Sequence, residues 1–244
     1  MYGDLDRPPL RPDALQRALA PEGWRVEVLA SCPSTNAVVA ERARTGEGPG
    51  LVVVAEEQTA GRGRLDRSWV SPPRAGLTLS ALVAGQGGWT TLLGGYAVAR
   101  AVSEQTGLAA TVKWPNDVLV GQSKVCGLLA EAIGSDVVLG IGLNVTTRRE
   151  ELPVETASSL QLEGAEVLDR DTLLRAVLRS LAGALGDRDR SAYRQACSTL
   201  GQQVRVELPG GQSATGLAES VDDEGRLVVD GVAYAAGDVV HLRS

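Results

Sequence analysis

A short stretch carries two lysines and an amide–carboxylate pair: Lys113-Trp114-Pro115-Asn116-Asp117, with Lys124 close behind. Proline fixes φ, and Asn and Asp stabilise turns through local side-chain hydrogen bonds, so residues 114–117 read as a tight turn after a strand ending at Thr111-Val112. Val118 to Val120, the Gly121-Gln122-Ser123 turn and the apolar run Val125 to Ala130 then read as a hairpin. Such a hairpin holds a lysine near an Asn-Asp pair on rigid elements. A plain surface hairpin would carry the same residues merely solvated. Upstream, Gly61-Arg62-Gly63-Arg64 follows a strand. Its glycines permit close backbone approach, and its arginines offer planar forks suited to carboxylate or phosphate. The loop lacks the Gly-Lys-Ser/Thr ending of a Walker A motif and the third glycine of a dinucleotide fingerprint. A solvated loop is the alternative. His241 is the only histidine, which argues against Ser-His-Asp, Cys-His and His-rich zinc chemistry. What remains is chemistry by Lys, Arg, carboxylates, backbone amides and magnesium.

These groups need a scaffold, and 244 residues are enough for a full core, as one large or two unequal domains. The core must be aliphatic, because phenylalanine is absent. A net charge of −6 argues against broad binding to nucleic acid or anionic membrane. No apolar run approaches the ~18 residues of a membrane span, and no signal-peptide pattern opens the chain. Cys32, Cys126 and Cys197 show no ligand-like spacing, which fits a reduced, cytoplasmic protein.

In chain order, Ala14 to Ala20 predicts a short helix and Trp24 to Ala30 a half-buried strand. Ser34 or Thr35 is placed to cap a helix over Ala37 to Arg44, whose free N–H groups could also meet a ligand. Leu51 to Ala55 reads as a central strand and Gly76 to Val83 as another. Trp89 to Gln105 is the strongest helix, with Gly107 as its stop. Ser135 to Val145 is an apolar strand in which Gly140 and Gly142 mark close approach by a ligand, and Asn144 at its end faces a turn or that ligand. Leu152 to Val167 is irregular. Asp171 is expected to cap a helix over Thr172 to Leu185, and a further helix runs over Ser191 to Thr199. From Gln203 the texture changes to short, regularly spaced strands, the pattern of a small barrel. A boundary near Gly201 divides a domain of residues 1–200 from one of 201–244.

Lys113 to Asp117, Lys124 with Gly127-Leu128-Leu129, Gln58 with Gly61-Arg62-Gly63-Arg64, Ser34-Thr35-Asn36 and Gly140-Ile141-Gly142-Leu143-Asn144 together resemble the biotin–protein ligase family. Each motif is weak alone, but the ordered set is specific. The N-terminus departs from the repressor branch, which has a DNA-binding domain, so the resemblance is to the ligase-only kind and implies no DNA partner. It implies an α+β fold: a mixed, mainly antiparallel sheet with packed helices, as in the class II synthetase-like biotin/lipoate ligase catalytic domain, plus a small C-terminal SH3-like barrel. It also implies a two-step, ATP-dependent reaction, in which biotinyl-adenylate and pyrophosphate form first. A lysine of a biotin carboxyl carrier domain of an acyl-CoA carboxylase is then acylated.

By that resemblance Lys124, Arg62 and Arg64 are catalytic. Ser34, Thr35, Asn36, Gln58, Arg62, Gly63, Arg64, Lys124 and Gly127 meet biotin. Arg62, Arg64, Trp69, Lys113, Asn116, Asp117, Lys124 and Asn144 meet ATP, with Trp69 over the adenine. Magnesium is expected with the triphosphate, through ligands the sequence does not identify. Adenylation needs no histidine, only two anions brought together and the added transition-state charge stabilised. The segment Thr59 to Trp69 is expected to order around the ligand, Arg62 and Arg64 repelling one another until an anion lies between them. Two other readings compete. One is a related acyltransferase or lipoate ligase, with Cys126 as a thioester nucleophile. The other is a non-catalytic anion- or peptide-binding module.

Overall fold

Side chains alternate between the two faces of a strand, and here that alternation separates a core from a binding surface. The computed structural model describes residues 7–64, 67–208, 211–235 and 237–242, so Leu65 and Asp66 of the arginine loop lie outside the described residues. The chain runs α1 (Pro12–Leu19), β1 (Arg25–Leu29), α2 (Thr35–Arg44), β2 (Leu51–Ala55), β3 (Gly76–Ala84) and α3 (Trp89–Thr106). It continues through β4 (Ala110–Lys113), β5 (Asp117–Val120), β6 (Ser123–Ile133), β7 (Asp136–Asn144), α4 (Arg170–Asp187) and α5 (Arg190–Ala196). Five strands follow: β8 (Gln203–Glu207), β9 (Ser213–Val221), β10 (Leu227–Val229), β11 (Val232–Tyr234) and β12 (Asp238–His241).

The first seven strands form one mixed sheet in the order β1-β2-β3-β7-β6-β5-β4, antiparallel except for the β1–β2 pair. Leu77, Leu79, Ala81 and Val83 of β3, with Leu139, Ile141 and Leu143 of β7, pack in the main core with residues of α1, α3 and α4. The opposite face carries Leu82, Val53 and Val138 under Val39 and Ala40 of α2. Farther along, the same face of β3 and β7 presents Thr78, Ser80, Gly140, Gly142 and Asn144; all but the fully buried Ser80 line a cavity together with residues of α2 or its approach. Leu51 to Ala55 therefore lies second from the sheet edge rather than at its centre. It is buried throughout because α2 covers one side of it and the main core the other.

α3 ends where expected, with Gly107 left-handed at φ +72°. The cap of α4 differs: Asp169 accepts from the N–H of Thr172, whereas Asp171 binds the Arg11 guanidinium at 2.8 Å. The helix starts earlier than the periodicity placed it, so Asp171 falls inside the first turn. The last helix of this region ends at Ala196, short of Thr199.

The five C-terminal strands form a small antiparallel sheet in the order β11-β10-β9-β8-β12. It is tied to the 114–117 turn. The Trp114 indole N–H donates to the Gly225 carbonyl at 3.1 Å, and the Trp114 backbone N–H donates to the Thr199 hydroxyl. That hydroxyl also meets His241 Nε2 at 3.1 Å, and burial, with the charge of Lys113, holds the imidazole below its ordinary pKa. A fully buried tryptophan thus fixes the turn that joins β4 to β5.

Candidate active site

The cavity, of about 440 Å³, lies against the polar and glycine face of the sheet, within the range that encloses a small-molecule ligand. Ser34, Thr35, Asn36, Gln58, Arg62, Gly63, Arg64, Trp69, Asn116, Asp117, Lys124, Gly127 and Asn144 all line it. Of the sequence-predicted residues only Lys113 does not, although it stands directly opposite Asp117 in the β4–β5 register.

The hairpin forms where the sequence placed it. A turn through the cis Trp114–Pro115 bond joins β4 to β5, and the Gly121 turn joins β5 to β6. A register shift between Val118 and Leu119 accompanies the approach of Lys124 Nζ to Asp117 Oδ1, at 2.6 Å. The lysine stem lies over Gly127, where a Cβ would come within 3.2 Å of Nζ. Burial lowers the Lys113 pKa, an effect that Asp117 opposes and Lys124 reinforces. Two lysines therefore share one carboxylate, which leaves the corner positive and suited to an anion.

Ser34 occupies the N-cap position of α2 but makes no capping hydrogen bond. Gln58 does that work instead: its Oε1 accepts from the N–H of Thr35 at 2.7 Å and lies 3.0 Å from the Thr35 hydroxyl. Asn144 is buried and donates to the Ser158 carbonyl at 2.9 Å. The two glycines of β7 make room for protein side chains: a Cβ at Gly140 would lie 2.3 Å from Asn36 Oδ1, and one at Gly142 would lie 2.3 Å from the Trp69 indole. Trp69 thus lies across the strands at Gly142, with its buried Nε1 unpartnered.

The arginines do not face one another unpaired. Arg62 meets Glu131 at 2.8 Å, and Arg64 donates to Asn116 Oδ1 at 2.7 Å and to the Gly237 carbonyl. Arg64 also approaches Asp238 at 3.6 Å, and Arg67 pairs with the same carboxylate. The repulsion expected from the sequence is relieved by acids that the sequence did not connect to the loop. Burial presses the Arg64 pKa down, Asp117 opposes this and Arg67 adds to it.

Several lining residues went unremarked in the sequence. Thr78 was legible as a polar interruption of an apolar strand, as was Ser80, which is buried behind the lining. Arg67 was legible as a further arginine of the loop. Asp238 had no local signal, since it lies 171 residues from Arg67.

Cys126 is fully buried in the main core, and burial drives its thiol pKa far above the ordinary range. A thiol held protonated is a poor nucleophile. Cys126→Ser is therefore expected to retain most activity in a ligation assay; lost transfer at unchanged thermal stability would restore the thioester reading. Among the described residues no group of three or more His, Cys, Asp or Glu side chains is placed to hold a metal ion. No helix among them is long and apolar enough to cross a membrane.

Residues 28–147 match the Biotin/lipoate A/B protein ligase family, and residues 199–242 match the Biotin protein ligase C terminal domain. The chain is 41% identical to a biotin--[acetyl-CoA-carboxylase] ligase of Mycobacterium tuberculosis, over 98% of either chain. It is 32% identical to the enzyme of that description from Paracoccus denitrificans, over 84% of this chain and 94% of that one. Its fold is similar to a biotin protein ligase from Aquifex aeolicus solved with biotin and ATP, with a TM-score of 0.75 and 27% identity, over 90% of this chain and 99% of that one.

Proposed function

The chain belongs to the biotin/lipoate A/B protein ligase family, and from that premise we propose how its own residues carry out ligation. It is a biotin protein ligase that uses ATP and biotin. A biotin carboxylate oxygen attacks the α-phosphorus of ATP, the bond to the β-phosphate breaks, and pyrophosphate leaves. The amine of a carrier lysine then attacks the acyl carbon, and AMP departs with the bonding electrons.

Lys124 neutralises the carboxylate and the α-phosphate as they meet, held in place by Asp117. Ser34, Thr35, Asn36, Gln58, Gly63 and Gly127 form the biotin surface, whose mixed donors and acceptors suit a ureido ring. Arg62 and Arg64 close over the adenylate, and a closed loop keeps water from a mixed anhydride. Trp69, Lys113, Asn116, Asp117 and Asn144 serve the nucleotide, Lys113 through its field rather than by lining the cavity. A magnesium ion bound with the triphosphate would neutralise phosphate charge. Because such an ion keeps most of its ligands from phosphate and water, Asp117 and Asp238, the carboxylates that line the cavity, are the residues that would hold it.

The names of the relatives point to acetyl-CoA carboxylase as the source of the acceptor, and we take that acceptor to be its biotin carboxyl carrier domain. A carrier protein rather than DNA also suits the net charge of −6, and we place the reaction in the cytoplasm, with residues 1–200 catalytic and 201–244 as the C-terminal unit. The carrying observation is the single cavity that gathers the biotin set, Lys124 and the two loop arginines. Pyrophosphate release that requires biotin and ATP together is the expected result. Release driven equally by lipoate or octanoate, or none at all, would overturn the assignment.

A further inference from the structure

Thr35 and Asn36, which line the cavity, belong to a chain of hydrogen bonds that runs behind it and ends on one carboxylate. Asn36 Nδ2 donates to Glu131 Oε1 at 2.7 Å, and Ser80 Oγ lies 2.5 Å from Asn36 Oδ1 and 2.7 Å from the Thr35 hydroxyl. An ionised carboxylate accepts only, so it compels the amide of Asn36 to turn its NH₂ toward Glu131 and its oxygen toward Ser80. That oxygen cannot donate, so the Ser80 proton must point at Asn36. The 2.7 Å contact between the two hydroxyls then takes its proton from Thr35, which donates to Ser80 Oγ. Thr35 thereby keeps an acceptor lone pair for a ligand N–H. Gly140 is what lets the amide lie this close to the sheet.

Glu131 is itself held from the other side. Arg62 meets both of its oxygens, at 2.8 and 3.1 Å. An exposed ion pair alone contributes little, and Arg62 is 51% exposed. Asn36, however, is buried, and among the described residues its only other acceptor is the Leu129 carbonyl at 3.4 Å. Removing the charge therefore acts chiefly on the amide.

We propose that Glu131 is a positioning residue for biotin recognition: it sets the direction of the Asn36–Ser80–Thr35 hydrogen bonds and links them to Arg62 of the loop. The proposal rests on the reading of this cavity as the biotin site. With Glu131→Gln, the new NH₂ can donate to Asn36 Oδ1, the amide can flip, and the hydrogen-bond chain loses its fixed polarity.

The test is biotin-dependent pyrophosphate exchange by the full chain, with wild-type turnover as the control on the underlying reading. Glu131→Gln is expected to raise KM for biotin about tenfold, as loss of one charge-assisted hydrogen bond would, with KM for ATP changed less than about threefold. In an Asn36→Ala background the same substitution should change KM for biotin by less than about twofold, because the relay is already cut. Ser80→Ala is a second background if Asn36→Ala does not fold. An unchanged KM for biotin, equal shifts for biotin and ATP, or the full tenfold effect in either background would overturn the assignment to Glu131. Absence of exchange in the wild type would instead overturn the biotin reading itself.

Discussion

Lys124→Ala is expected to slow adenylate formation by about two to three orders of magnitude, the ~2.7–4 kcal/mol that one preorganised donor supplies to a transition state. The reacting carboxylate and α-phosphate are both anions, and attack adds charge at phosphorus. In the proposed mechanism Lys124 meets both; its Nζ lies 2.6 Å from Asp117 Oδ1 and above the side-chain-free Gly127. Lys113 does not line the cavity and cannot make the same contact in its place. Stability should change little. The Lys124 side chain is 32% exposed and that of Asp117 is 22% exposed, so water replaces much of the lost pairing. Pyrophosphate exchange in the variant, with a melting temperature near that of the wild type, provides the check. Exchange within about threefold of wild type would remove Lys124 from the mechanism.

Much of this site could be read from the residues because it sits on regular elements. The 114–117 turn, the Gly121 turn and the apolar strands around them place Lys124 beside Asp117 by local chemistry alone. The alternation Leu77, Leu79, Ala81 against Thr78, Ser80 likewise separates the main core from the polar face of β3. The partners of the arginines were not legible. Glu131 follows Arg62 by 69 residues and reaches it only because β6 runs along the cavity, and Asp238 comes from another sheet. The α4 cap failed for a smaller reason: Asp169 and Asp171 are both good caps, and spacing does not fix a helix start to within two residues. β11 went unseen because Val232–Tyr234 is too short and too exposed to carry a pattern.

Arg64→Gly is expected to release the adenylate before the carrier can take it. Arg64 ties the loop to the 114–117 turn through Asn116 Oδ1 at 2.7 Å and to the C-terminal sheet through the Gly237 carbonyl and Asp238. A phosphate in the cavity offers this arginine a stronger, bidentate partner than the 3.6 Å approach of Asp238. The ligand should therefore draw the arginine inward and hold the loop shut. Glycine removes every one of these ties and adds backbone freedom that must be lost on closure, ~0.5–1 kcal/mol relative to alanine in regular structure. Losing a charge-assisted hydrogen bond costs about 1.5–3 kcal/mol, so adenylate dissociation should accelerate about ten- to a hundredfold. Adenylate that escapes and meets an amine before water hydrolyses it should acylate exposed lysines of a bystander such as serum albumin in proportion to time, while carrier labelling loses its selectivity. Hydrogen exchange gives the companion measurement. In the wild type, protection over residues 59–64 and 67–69 should rise on adding biotin and ATP, and in Arg64→Gly it should not. Equal protection with and without ligand in the wild type, together with unlabelled bystander protein in the variant, would mean that the loop is set by Glu131 and Asp238 alone and does not gate the intermediate.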